Sequence, residues 1–335
     1  MAFGSPFEAR WVRPEPRSAF FKDQLRNIME IAFPGRQVAR AQWLTEGLRN
    51  ANFKVRLDCP AEDFVVRIYE HDPALCCKEI DLFRLFGLSI PVPEVTFAQP
   101  GGLHGLPPFV VLRFVEGVTL RELKRRGDAR AVADASFATG QNLARIHSIL
   151  FETAGWIGPG LAVTTPPFLE DTNPCERVVD HCLGSPQLRS RIDSDLRNRF
   201  QASIACCARQ LTNIYRQSCL VHGDFGKRNI LVHRAGRKWT VSAILDWEFA
   251  ISGPPLIDVG QILRYERVSR PLLEPAFSSG YSEAGGQLPH GWRRLARLLD
   301  AISLFESLTR NLPEAVSAEL VELIRAAVED RDPQC

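Results

Sequence analysis

Residues 221–232 have the sequence VHGDFGKRNILV, and this stretch decides the fold. Asp224 and Asn229 stand five positions apart in a polar loop, and a β-type run follows at once. A second β-type run, 241–245, ends at Asp246. We expect the two runs to form a hairpin, which brings Asp224, Asn229 and Asp246 to one end of it. There, one carboxylate can orient an attacking hydroxyl while the amide and the other carboxylate hold Mg²⁺.

The loop resembles the catalytic loop of the aminoglycoside phosphotransferase and choline kinase-like families, which are small-molecule relatives of the protein kinases. His222-Gly223-Asp224 followed by Asn229 carries the likeness to the H-R-D loop. Asp246-Trp247-Glu248 stands where protein kinases have D-F-G. Because Gly223 replaces the Arg that answers a phosphorylated activation loop, the small-molecule branch is favoured.

The resemblance implies a role for each matching residue. Asp224 would be the catalytic base, Asn229 and Asp246 would be Mg²⁺ ligands, and His222 would brace the loop. Asp258 matches a family aspartate at the start of the following helix and would bond to the catalytic loop. A plain helix-capping role for Asp258 is the alternative.

The composition is that of a globular protein that can bury a large core. The chain has 335 residues, 45% hydrophobic and 24% charged, with a net charge of +2. This balance gives no basis for a nucleic-acid or membrane partner, and no apolar run is long enough to span a bilayer. Residues 1–17 lack the apolar stretch of a signal peptide, and nine cysteines without zinc-ligand spacing indicate reduced thiols. We therefore expect a cytoplasmic monomer or simple homodimer.

The order of the predicted elements is typical of a two-lobed, protein-kinase-like fold of the α+β class. A small β-rich N-lobe would span residues 1–115, and a mainly helical C-lobe residues 116–335. The N-lobe elements are a leading helix, a hairpin, a helix and a further strand, at 19–32, 51–57, 63–69, 75–86 and 109–115. Long C-lobe helices are predicted at 131–150, 195–216, 256–264, 292–308 and 313–327.

The nucleotide, ATP or GTP, is expected beneath the N-lobe hairpin. The turn before the hairpin contains Gly47 and Asn50, which fit the loose phosphate cover of the resembled family. Strand alternation turns Arg67 inward, where protein kinases carry Lys, and a guanidinium can hold phosphate oxygens bidentately. Glu79 in the next helix would be the ion-pair partner of Arg67.

The adenine base is expected at the end of the N-lobe. The resemblance places it against the backbone of three consecutive residues, Arg113, Phe114 and Val115. Because backbone N–H and C=O groups would do this work, the side chains there carry little information.

The acceptor, a small molecule, is expected over the C-lobe, against residues 155–190 and 266–290. Glu248 and Glu266 are the candidates for acceptor contacts, because a polycation such as an aminoglycoside benefits from acidic groups. Basic residues are interleaved with these acids, so no net acidic surface emerges: Arg264, Arg267, Arg270, Arg293 and Arg294.

Three functions fit these observations. The leading one is an ATP-dependent kinase that acts on a small-molecule hydroxyl, including that of an aminoglycoside-like antibiotic. A metabolic kinase for an amino alcohol or sugar is the second, and a catalytically silent nucleotide-binding scaffold is the third. The intact Asp224, Asn229 and Asp246 argue against the scaffold. Gly223 and the absence of an A-P-E element argue against a protein kinase.

Overall fold

The amino-terminal part of the chain is built on one antiparallel sheet of five strands. The computed structural model describes residues 18–44, 50–70, 72–170 and 174–329. The elements of this part are α1 (Ser18–Ala32), β1 (Val38–Trp43), β2 (Ala51–Leu57), β3 (Glu62–Ile68), α2 (Ala74–Phe86), β4 (Val95–Gln99) and β5 (Phe109–Arg113). The strands lie in the order β1-β2-β3-β5-β4.

The two faces of β3 serve different cores because alternate side chains of a strand point to opposite sides. Phe64, Val66 and Ile68 are buried with α1 in a core confined to the amino-terminal part. Val65 and Tyr69 pack instead into the larger core that continues through the rest of the protein. Arg67 shares this second face, so the predicted inward orientation of Arg67 follows from the pleat.

The rest of the protein is mainly helical. Its helices are α3 (Leu120–Arg125), α4 (Ala129–His147), α5 (Pro174–Leu183), α6 (Pro186–Arg191), α7 (Ser194–Cys206), α8 (Ala208–Tyr215), α9 (Leu256–Leu263), α10 (Ala276–Glu283), α11 (Trp292–Leu308) and α12 (Glu314–Val328). Its strands are β6 (Val118–Thr119), β7 (Gly155–Ile157), β8 (Val163–Thr164), β9 (Cys219–Val221), β10 (Ile230–Ala235), β11 (Lys238–Ile244) and β12 (Ile251–Gly253). They form the small sheets β11-β10-β6 and β8-β7-β12-β9. Within the described ranges, no helix has the length and apolar character to cross a bilayer.

The predicted α+β, kinase-like class is confirmed, while several predicted boundaries are wrong. The helix predicted at 195–216 is two helices, because the backbone breaks at Cys207 with φ −98° and ψ 9°. The helix predicted to reach residue 150 ends at His147, since the following residues pair with β9 through the Leu220 N–H and the Ile149 carbonyl. The lobe boundary at 115/116 stays a prediction.

Helices α4 and α10 cross at unusually close range. A Cβ on Gly140 would lie 2.1 Å from the carbonyl oxygen of Phe277, and one on Gly280 would lie 2.1 Å from that of Phe137. Only glycine permits this approach of two backbones. The crossing brings Tyr281, on α10, to the end of α4, next to His147.

Candidate active site

The β10–β11 hairpin places two candidate ligands at the same end. Ile230 pairs with Ile244, and the Leu245 N–H donates to the Asn229 carbonyl at 2.8 Å. Asp246 therefore lies just after β11 and Asn229 just before β10, at the same end of the predicted hairpin. Asp246 has a left-handed backbone, φ 68° and ψ 66°, which is uncommon for a residue other than glycine and often found at functional sites.

Asn229 is oriented by Asp224. The Asn229 Nδ2 donates to the backbone carbonyl of Asp224 and to its carboxylate Oδ2, both at 2.9 Å. Because the amide nitrogen makes both bonds, the amide oxygen points elsewhere and is available as a ligand. The five-residue spacing thus closes the loop on itself and joins the predicted base to a predicted metal ligand.

Two side chains of α9 hold the backbone of the catalytic loop. The buried carboxylate of Asp258 accepts hydrogen bonds from the N–H groups of His222 at 2.8 Å and Gly223 at 2.9 Å. Gln261 donates to the Gly223 carbonyl and accepts from the Phe225 N–H, both at 2.7 Å. These contacts support the predicted supporting role of Asp258. Gln261 was missed, although it lies one turn after Asp258 on the same helix face.

His222 braces the loop from inside, in agreement with its predicted role. Its Nε2 lies 2.9 Å from the Leu245 carbonyl, and its Nδ1 lies 3.2 Å from the Asp224 N–H. A carbonyl can only accept and an N–H can only donate, so the ring is neutral with its proton on Nε2. His222 also packs against Trp247, with ring centroids 4.6 Å apart.

His147 extends this support into the helical core, which sequence reasoning missed. Its Nε2 lies 3.2 Å from Asp258 Oδ2, and its Nδ1 lies 2.8 Å from the Tyr281 hydroxyl. His147 ends a helix with an apolar face. Its position on that face is the one feature of the sequence that could have indicated a buried role. The chain of contacts from Tyr281 through His147 fixes the carboxylate that holds the loop.

Arg67 lies where the resemblance places the phosphate-binding cation. Its Nε is 3.2 Å from Glu79 Oε2, and its Nη2 is 2.6 Å from Asp246 Oδ1. Glu79 also accepts from the Tyr69 hydroxyl and from the Trp247 N–H at 3.3 Å. The predicted Arg67–Glu79 pair is therefore present, and it is joined directly to a candidate metal ligand.

Asn50 and Glu248 bond to each other across the site. Asn50 Nδ2 donates to Glu248 Oε2 at 2.8 Å, and both side chains are buried. Lys78, which sequence reasoning missed, donates to the Glu248 carbonyl at 2.8 Å. These contacts place Glu248 beside the start of β2 and beside α2, the elements predicted to surround the nucleotide, and its contact with an acceptor stays a prediction. Asn50 keeps its predicted position beside them, while Gly47 lies outside the described residues.

At the end of β5, the sheet occupies two of the three backbone N–H groups that are predicted to face the adenine base. The Arg113 N–H donates to the Glu94 carbonyl at 2.9 Å, and the Phe114 N–H donates to the Asp63 carbonyl at 3.0 Å. Because the sheet uses both N–H groups, Val115 stays the predicted donor to the base. The Arg113 guanidinium binds Glu94 and Glu62.

Glu266, the other predicted acceptor contact, has a structural set of partners. Its Oε1 lies 3.1 Å from Lys124 Nζ, and its Oε2 accepts from the N–H groups of Leu273 at 2.9 Å and Glu274 at 3.1 Å. The Glu266 carboxylate thus ties Lys124 of α3 to the segment after α9.

The environment of Asp224 favours its protonated form. Burial raises the pKa of the Asp224 carboxyl, and the nearby Asp246 adds to the rise, while Arg264 and the Asn229 hydrogen bond oppose it. A carboxyl with a raised pKa is a better proton acceptor for an alcohol than an exposed one.

The oxygen atoms at this site fit Mg²⁺. Among the described residues, no three histidine, cysteine, aspartate or glutamate side chains form a metal-binding group. Mg²⁺ does not need such a group, since it usually binds through one or two carboxylates, several waters and substrate phosphates. The amide oxygen of Asn229 and the carboxylate of Asp246 supply hard oxygen ligands of this kind.

Substituting Gly223 with alanine should destabilise the protein beyond the cost of its backbone conformation. Gly223 has φ 79°, and a Cβ there would lie 2.3 Å from the Phe249 carbonyl oxygen. Gly236 has φ 62° with open space around it, so Gly236→Ala is a matched control. We expect Gly236→Ala to cost about 1–2 kcal/mol and Gly223→Ala clearly more in denaturant unfolding. Equal losses would show that the contact with Phe249 is unimportant.

Lys78 should make stability rise with pH in the alkaline range. Burial lowers the pKa of Lys78 to about 8. Between this value and the ordinary lysine value of ~10.4, the unfolded chain binds the proton and the folded protein does not. The free energy of unfolding should therefore increase with pH across this window in the wild type, relative to Lys78→Met. Parallel pH profiles of the two proteins in denaturant unfolding would contradict the prediction.

Comparisons with known proteins place the fold among solved structures of phosphotransferases. Solved structures of similar fold include the aminoglycoside phosphotransferase APH(4)-Ia in a ternary complex with AMP-PNP and hygromycin B, with a TM-score of 0.66, 19% identity, and coverage of 91% of this chain and 98% of that chain. Another is the GDP complex of wild-type aminoglycoside 2'-phosphotransferase-IIIa, with a TM-score of 0.68, 17% identity, and coverage of 92% and 98%. These likenesses establish the fold.

Curated relatives are proteins named acyl-CoA dehydrogenase family member 11. The Homo sapiens protein is 27% identical over 205 residues, which are 60% of this chain and 24% of that protein. The Gallus gallus protein is 26% identical over 182 residues, 54% of this chain and 22% of that protein. The chain thus spans about a quarter of these relatives. The profile of the Phosphotransferase enzyme family matches residues 41–298, and the chain belongs to this family.

Proposed function

We propose that this protein transfers the γ-phosphate of ATP, or of GTP, to a hydroxyl of a small molecule. The observation that carries the proposal is the meeting of Asp224, Asn229, Asp246 and Arg67 at one end of the β10–β11 hairpin. A base, two oxygen ligands and a fixed cation are the parts that phosphoryl transfer requires. Family membership and the nucleotide complexes of similar folds support the same chemistry.

Asp224 would orient the acceptor hydroxyl and take its proton. The hydroxyl oxygen forms a bond to the γ-phosphorus while the bond from that phosphorus to the β–γ bridging oxygen breaks, and the nucleoside diphosphate leaves with those electrons. Asn229 holds the Asp224 carboxylate at 2.9 Å, so the direction of the proton acceptor is defined before substrate binds.

Asn229 and Asp246 would hold Mg²⁺, which when bound neutralises charge on the phosphates. Arg67 adds a permanent positive charge at the same place, fixed in orientation by Glu79. Because Arg67 also contacts Asp246, the cation and the metal ligand keep a constant separation. Asn50, bonded to Glu248, would hold the start of β2 over the phosphates.

The structural neighbours and the curated relatives each suggest a class of acceptor. The structural neighbours include complexes with hygromycin B and kanamycin, which makes an aminoglycoside-like acceptor and a role in antibiotic resistance one candidate. The curated relatives carry an acyl-CoA dehydrogenase name, so a hydroxylated acyl compound is a second candidate. Amino alcohols and sugars complete the set.

The cellular setting is proposed to be the cytoplasm, with the protein acting as a monomer or simple homodimer. ATP is abundant there, and the eight described cysteines are all free thiols, as a reducing compartment requires. No nucleic-acid or membrane partner is proposed.

An ATP-consumption screen over aminoglycosides, other antibiotics, amino alcohols, sugars and hydroxylated acyl compounds should identify an acceptor. We expect Mg²⁺-dependent consumption and a phosphorylated product by mass spectrometry, both lost in Asp246→Asn. Stabilisation by ATP and Mg²⁺ without consumption across the whole panel would instead support a silent nucleotide-binding scaffold.

Substituting Asp224 with asparagine should remove activity without loss of stability. Turnover should fall by about 10²–10⁴-fold, the usual contribution of a positioned base. Since burial raises the pKa of Asp224, its ionised form is a cost to the fold at neutral pH, and the neutral amide avoids this cost. The variant should melt at or above the wild-type temperature at pH near 7, with the difference shrinking in acid. Near-wild-type turnover in the purified variant would refute the mechanism.

A further inference from the structure

One side of α9 runs along the catalytic loop and ends at a cation. Asp258 and Gln261 bind the loop backbone from His222 to Phe225, and Arg264 follows at the same three-residue spacing. Residues three apart on a helix are neighbours, so Arg264 lies next to Gln261, whose side chain accepts from the N–H of Phe225, the residue after Asp224. The positive charge of Arg264 opposes the effect of burial, which raises the pKa of Asp224.

Arg264 is also part of the wall of a cavity between α9, α11 and α12, which we call the arginine cavity. Its volume is about 90 Å³, room for about three water molecules at ~30 Å³ each, or for one carboxylate or phosphate group. Its charged lining residues are four arginines and three acids: Arg264, Arg267, Arg293, Arg297, Glu266, Glu274 and Asp300. The lining thus has an excess of positive side chains.

Each acid of the arginine cavity is already bound to a cation. Asp300 accepts from Arg264 Nε at 2.9 Å and from Arg264 Nη2 at 2.6 Å. Glu274 accepts from Arg293 Nε at 3.2 Å. Glu266 is held by Lys124 and two backbone N–H groups. A polycation would have to compete with these internal pairs, so the cavity offers it little.

The ion pair with Asp300 orients the Arg264 guanidinium and leaves part of the side chain exposed. Asp300 takes Nε and Nη2, while Nη1 takes no part in that bidentate contact, and 22% of the Arg264 side chain is exposed. A second cation stands nearby, because Lys227 Nζ lies 4.4 Å from the ring of Tyr265, the neighbour of Arg264. Lys227 follows Asp224 by three positions in the catalytic loop.

Building on the proposed phosphotransfer, we infer that the acceptor is an anionic molecule, whose oxyanion group binds at Arg264 while its hydroxyl reaches Asp224. A guanidinium held by one carboxylate and open on its other side is suited to a carboxylate or phosphate. The same positive field repels the ammonium groups of an aminoglycoside. The inference therefore separates this protein from acceptors that rely on acidic pockets.

The test compares acceptors that differ only in charge. Compounds with a terminal hydroxyl, an alkyl chain of about two to six carbons and a carboxylate, phosphate, carboxamide or ammonium group are assayed as phosphate acceptors. We expect the anionic members to have kcat/KM values at least about tenfold above the carboxamides, with the ammonium members lowest. Equal or higher values for the ammonium members, or for an aminoglycoside, would overturn the inference and leave the phosphotransfer itself supported.

The variant test removes the Arg264–Asp300 pair as a unit. Removing one partner alone would leave a buried charge, so Arg264→Gln is combined with Asp300→Asn. The preference for anionic over carboxamide acceptors, taken as the ratio of their kcat/KM values, should fall by about tenfold or more. Arg310→Gln combined with Glu306→Gln, at an exposed pair elsewhere on the protein, is the matched control for loss of one ion pair. An unchanged preference in the double variant would refute the role of Arg264.

A binding measurement keeps the inference testable without turnover. Succinate and its diamide are titrated calorimetrically into protein saturated with AMP-PNP and Mg²⁺, so that the nucleotide site is filled. We expect succinate alone to bind, with affinity reduced about tenfold or more in the double variant. If succinate binds in this titration but no compound supports ATP consumption in the separate acceptor screen, the phosphotransfer proposal fails and the anion site stands. Absence of binding, or equal binding to both proteins, would mean that the anion site fails.

Discussion

The buried guanidinium of Arg67 is the group around which the site is organised. It is 7% exposed and contacts Glu79 of α2 and Asp246 after β11. A buried charge that loses one partner typically costs about 3–5 kcal/mol, so none of these elements can move alone. The amino-terminal sheet, α2 and the end of the β10–β11 hairpin that carries Asp246 are coupled through one side chain.

The catalytic loop is held by its backbone, which leaves its side chains for chemistry. Asp258 and Gln261 take four hydrogen bonds to the loop main chain, and His147 with Tyr281 fixes Asp258 from behind. Support of this kind, from a rigid helix, is what positions a reactive group within a fraction of an ångström. The close crossing of α4 and α10 is therefore part of the active-site architecture.

Charge pairing divides the site into two functional sides. On the nucleotide side, Arg67 and Lys78 meet the Asp246–Glu248 segment. On the proposed acceptor side, Arg264 binds Asp300 and Lys124 binds Glu266, so these acids already have internal partners. Under the proposed function, selectivity for the acceptor would depend less on which charges the chain contains than on which are paired in the folded protein.

Local spacing in the chain was sufficient to predict the hairpin and the inward orientation of Arg67, while the family resemblance drew attention to the 222–229 loop and to Asp258. The first two features depend on residues a few positions apart, where strand and helix periodicity determine direction. The partners of Glu248, the contacts of His147 and the Arg264–Asp300 pair could not be predicted in this way. Asn50 and Glu248, for example, are 198 positions apart. Contacts at such separation arise only when packing brings whole elements together, so only the tertiary structure shows which charges are neutralised and which face a ligand.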